Sequence, residues 1–60
     1  MKYLIPKKTL KNSEFVLYEQ MKYPIISEHA DCYYCRIVNK KIGIDKKLEG
    51  DLYLIVEEID

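Results

Sequence analysis

Glycine and proline are scarce in this chain, at two each, so no stretch of it reads as a linker or low-complexity segment. Arginine and histidine occur once each. The longest apolar run, LYLIV at Leu52–Val56, is far too short for the ~20 residues a bilayer-spanning helix needs. The opening MKYLIPKK lacks the ~7–15-residue apolar core of a secretory signal. A cytoplasmic protein with reduced thiols and no membrane partner is therefore expected. A net charge is also missing: ten basic side chains face ten acidic ones, which removes the large positive excess that is the simplest footprint of nucleic-acid binding. The balance is mildly polarised, with residues 1–30 at +2 and residues 31–60 at −2. Lysine dominates the basic residues and isoleucine is abundant, a bias read here as a bacterial or phage genome rich in A and T.

What is present points to a small folded unit. Hydrophobic residues make up 48% of the 60, ordinary for a globular domain. A chain of this length buries only about 60% of the surface its unfolded form exposes. It is expected to form a single domain over residues 1–60, supported by a metal, a second copy or close packing. Active-site pockets enclose on the order of 300 Å³ or more, hard to carve from such a core, so an enzyme is not expected.

The local pattern predicts a mostly β protein. KYLI (2–5), EFVLYEQ (14–20), CYYCRIV (32–38) and DLYLIVEEI (51–59) read as strands, and KIGID after Asn39-Lys40 reads as the return strand of a hairpin. Between Lys22-Tyr23-Pro24 and the cysteines lies a long connection. The alternative is an α+β chain, with Ser13 capping a short helix near residues 14–22.

These strands are apolar on both faces. Leu52, Leu54 and Val56 alternate with Tyr53 and Ile55, and Cys32, Tyr34 and Val38 alternate with Tyr33, Cys35 and Ile37. A sheet with one wet face should alternate apolar with polar. Two arrangements bury both faces: a curled sheet or SH3-like barrel of about five short strands, or a homodimer.

The motif HADCYYC offers three metal ligands, His29, Cys32 and Cys35, where a structural zinc site takes four. Cysteines three apart on a strand stand roughly 10 Å apart and point to opposite faces. A shared zinc or a disulfide would require a tight turn at Tyr33-Tyr34, and tyrosines are poor turn residues. A redox pair would sit at a helix start, and RIVNKKIGI does not read as a helix. The leading expectation is two structural thiols and no cofactor, with structural zinc as the alternative.

Six tyrosines give the chain its candidate contacts. Tyrosine supplies apolar area with a wettable tip and is enriched at interfaces. Tyr33, Tyr34 and Tyr53, with Arg36 beside them, are the expected binding residues of a non-enzymatic protein-binding or regulatory module that self-associates. Arg36 is also placed to pair with Glu57 or Glu58 across strands. The alternative function is a single-stranded nucleic-acid-binding module, in which bases stack on the tyrosines beside a rim formed by Lys7-Lys8, Lys40-Lys41 and Lys46-Lys47. The third is a zinc-stabilised domain.

Overall fold

Branched and aromatic residues at alternate positions pleat well, and they make strands of most of this sequence. The computed structural model describes residues 1–59. Seven strands follow in order: β1 (Lys2–Pro6), β2 (Leu10–Lys11), β3 (Val16–Leu17), β4 (Tyr23–Glu28), β5 (Cys32–Ile37), β6 (Lys40–Asp45) and β7 (Tyr53–Glu57). A 3-10 turn at Lys46–Leu48 precedes β7. Five strands form one antiparallel sheet in the order β6-β5-β4-β1-β7, and β2 and β3 form a separate two-stranded arm.

Residues 14–22 hold no helix. Asn12, one residue before the expected cap, organises the segment: its side-chain oxygen accepts from the N–H groups of Glu14 and Phe15 at 2.7 and 3.0 Å. That turns the chain into a hairpin with Leu10 opposite Leu17 and Lys11 opposite Val16. Extended structure in this segment shrinks to two residues, and Gln20, at φ +68°, turns the chain out of it.

The long connection contains a strand that the sequence reading missed. β4 carries Pro24, and proline argues against a central strand because it cannot donate to a ladder. Here β4 changes partners along its length. Tyr23 and Pro24 pair with β1, while Ile25, Ser27 and Glu28 pair with β5 across a bulge. Pro24 sits at the handover, before the ladder with β5 begins.

The β5–β6 turn is Val38–Asn39, with Ile37 opposite Lys40, one residue earlier than expected. A turn at Asn39-Lys40 would set Gly43 against Arg36. The observed register sets it against Tyr34, whose ring needs the space.

The core lies on one face of the sheet. Leu4, Leu17, Tyr33, Cys35, Ile42, Ile44 and Tyr53 are buried there, and Leu10, Phe15, Tyr23, Ile25, Ile37, Leu52 and Ile55 pack around them. The β2–β3 arm lays Leu17 onto this face and is tied down by backbone and side-chain bonds. Gln20 N–H donates to the Pro6 carbonyl at 3.1 Å, and Tyr18 N–H donates to the Tyr23 hydroxyl at 2.8 Å. The sheet curls enough to bring its two outer strands together. The Tyr53 ring meets Tyr33 edge-on at 6.4 Å, and its hydroxyl donates to the Asp45 carbonyl at 2.7 Å.

Candidate functional site

Of the four expected contact residues, two are interior. Tyr53 is 0% exposed and Tyr33 8%, so neither offers a surface to a partner. Each phenol finds an acceptor inside: Tyr33 donates to Glu49 Oε1 at 3.0 Å, and Tyr53 to the Asp45 carbonyl. That is what lets a tyrosine occupy a core position. Burial pushes both phenols up, Tyr53 to about 12, with the Glu49 charge adding in the same direction.

Tyr34 and Arg36 point the other way, onto the outer face of β5, as the two-residue period requires. Tyr34 lies against Gly43 of β6, where an added Cβ would come 3.1 Å from its ring. Lys41 Nζ stands 4.7 Å from the ring centroid, and His29 meets the ring edge-on at 4.8 Å. Glycine here supplies room, a role with no mark in the sequence beyond its position opposite a tyrosine.

The cysteines divide between the two faces. Cys35 is fully buried, and its thiol is raised to about 11 by burial. Cys32 is half-buried on the outer face, opposite Asp45. Both thiols are free. Among the described residues no three histidine, cysteine, aspartate or glutamate side chains converge as a metal-binding group, so the geometry does not gather His29, Cys32 and Cys35.

Two of the three lysine pairs do not share a rim. Lys40-Lys41 and Lys46-Lys47 flank opposite ends of β6, roughly 17 Å apart for a strand of that length. Several other cations are already engaged. Glu28 accepts from Lys46 at 2.8 Å and from Lys2 at 3.4 Å, which holds its carboxyl below the usual range, the Lys46 bond contributing most. Lys22 pairs with Glu58, whose hydrogen bond raises the lysine, and Lys7 donates to the Gly50 carbonyl.

Arg36 sits opposite Lys41, not opposite Glu57 or Glu58, because β4 and β1 separate β5 from β7. Arg36, Lys40 and Lys41 form no salt bridge among the described residues. With Ile26, Val38 and Asn39 they line an open concavity of about 380 Å³.

The rest of the outer face is mostly apolar, the exception being Ser27 of β4, opposite Tyr34, whose buried Oγ has no hydrogen-bond partner among the described residues. Tyr3 and Ile5 of β1 stand opposite Val56 and Leu54 of β7, with Pro24 beside Tyr3 and Ile26 further along β4. Leu54 and Ile26 are 46% and 42% exposed, while Tyr3, Ile5, Pro24 and Val56 are half-buried and Lys22 Nζ stands 5.8 Å from the Tyr3 ring centroid. The sequence marked these strands as two-faced but could not say which face would meet the core. The site therefore combines a partly exposed apolar sheet face with a cationic hairpin at its margin. Comparison with protein-family models, with curated proteins and with solved structures finds no match to this chain.

Proposed function

We propose that this chain is a small non-enzymatic protein-binding module that self-associates, two copies meeting through the outer faces of their sheets. The observation that carries the reading is the apolar face of Tyr3, Ile5, Leu54 and Val56, on which Leu54 is exposed and the other three are half-buried. A core of seven buried residues is small, and a second copy supplies the missing layer. Zero net charge leaves two copies without mutual repulsion. The strand order β6-β5-β4-β1-β7, with a long arm after β1 and a 3-10 turn before β7, supports reading the curled sheet as SH3-like. A cytoplasmic setting fits the two free thiols.

Single-stranded nucleic acid is the weaker reading. Stacking needs an open aromatic face beside cations, and the one tyrosine near the free cations already meets Lys41, Gly43 and His29.

Native mass spectrometry combined with sedimentation tests the proposal. The wild type is expected as a dimer. Leu54→Glu, which puts a charge on the face without touching the core, is expected to be a folded monomer. A wild type that stays monomeric at high concentration overturns the reading.

A further inference from the structure

We infer that the β5–β6 hairpin is a recognition finger for an acidic protein surface: Val38 is its apolar anchor, and Arg36, Lys40 and Lys41 meet carboxylates around it. The inference rests on the reading of the chain as a protein-binding module and names the chemistry of a partner other than the second copy.

Three features of this one hairpin work against the isolated fold, and one class of partner relieves them together. The first is the turn itself. Val38 has φ +57°, a left-handed conformation that β-branched residues avoid. Asn39, a residue that tolerates such a φ, is the next position, yet valine takes it. Strain of this kind costs on the order of 1–3 kcal/mol and gathers at functional positions. The strain gains no burial, since Val38 is 85% exposed. The second feature is electrostatic. Arg36 and Lys41 are directly opposed across the two strands, an arrangement of like charges that weakens a hairpin. The third is the absence of compensation. Among the described residues no carboxylate lines the concavity formed by Ile26, Arg36, Val38, Asn39, Lys40 and Lys41. Glu14 lies on the other side of the hairpin, beside Phe15 and Ile42, and forms no ion pair with Lys40 among the described residues.

An exposed valine with Arg36, Lys40 and Lys41 on one side, and Glu14 across the groove on the other, fits on its cationic side an apolar depression rimmed by aspartate or glutamate. Burying Val38 there returns the free energy lost in the turn, and the rim carboxylates remove the Arg36–Lys41 repulsion. A nucleic-acid strand would satisfy the cations but leave Val38 exposed, and the ring on their face of the hairpin, Tyr34, is already met by Lys41, Gly43 and His29.

The test uses two probes with the full chain: a peptide of glutamates flanking a single leucine, and an oligothymidylate strand. Amide resonances are followed during titration at low and moderate salt. The acidic peptide is expected to shift residues 36–41, with affinity falling steeply as salt rises. Arg36→Glu with Lys41→Glu is expected to abolish binding. Val38→Asn is expected to weaken it about tenfold while raising the melting temperature, since asparagine accepts the left-handed φ and no buried area is lost. That opposition of stability and binding separates a strained anchor from an ordinary turn residue. Absence of peptide binding at low salt overturns the inference. So does tighter binding of oligothymidylate than of peptide, or a Val38→Asn variant that melts lower or binds as the wild type does. Chain counts on the same variants keep the two readings apart. A dimer that survives Arg36→Glu/Lys41→Glu while peptide binding fails would sink the finger and leave self-association standing.

Discussion

Tyr53 and Cys35 fill the centre of the core with side chains that ionise, and burial holds both in their neutral forms. Tyr53 has its pKa raised from 10.0 to about 12, so the neutral phenol's contribution to stability is complete below pH 10. It is lost as pH rises from 10 through about 12, and Tyr33 shifts in the same direction. An alkaline titration is expected to show late tyrosinate absorbance appearing together with loss of the folded circular dichroism signal. Tyr53→Phe should delay that unfolding while costing about 1–2 kcal/mol at neutral pH, because the Asp45 carbonyl loses its donor. Of the two thiols, Cys32 is expected to react with a thiol reagent in the native protein, and Cys35 only as the protein unfolds. Equal rates for both would contradict the placement of β5. The opposition of Cys32 and Cys35, and of Tyr33 and Tyr34, was legible from the two-residue period. Which member of each pair would be interior was not, because both faces are apolar and hydrophobicity alone ranks them equally. The deciding fact for Tyr33, a Glu49 carboxylate that accepts from its phenol, is a tertiary contact across 16 residues of chain.

At the level of elements, the sequence was clearest where branched and aromatic residues cluster, in β1, β5 and β7, and blindest at β4. Pro24 argued against a strand that exists because β4 exchanges one partner for another beside it. No local pattern encodes such a handover; it depends on where β1 and β5 begin. The two-residue strands of the arm were hard to read for the opposite reason, since they are held by Asn12 and by packing of Leu17 more than by propensity. The passage from β6 to β7 has a device of its own. Asp45 closes β6 and its carboxylate accepts from the Lys47 N–H at 2.9 Å, capping the 3-10 turn. Asp45→Ala is expected to cost about 1 kcal/mol in urea unfolding with an unchanged m value. Because Tyr53 bonds to the backbone carbonyl of Asp45, that contact survives the substitution and the loss stays local.

The whole molecule has a Cα radius of gyration of 10.6 Å, close to the value of about 10 Å expected for a compact chain of this length. Compactness and β character followed from composition and alternation. The cationic patch did not, because neutral overall charge hides the local separation that folding makes between paired lysines and the free hairpin. If two copies bury the outer face, stability belongs to the pair and not to the single chain. The melting temperature should then rise with protein concentration in the wild type and be independent of it in Leu54→Glu. The pairing of β1 with β7 carries a different consequence. Met1 and Glu58 bond to each other through both backbone groups, at 2.7 and 2.9 Å, and every residue from Lys2 to Pro6 faces one in β7. Leu4 and Ile5 pair with Ile55 and Leu54, about fifty positions further along the sequence. Ladders this distant in sequence close slowly. The β4–β5–β6 meander, whose pairings are local, can close first, so folding passes through a stage in which β1 lacks its β7 partner and its apolar residues stay exposed.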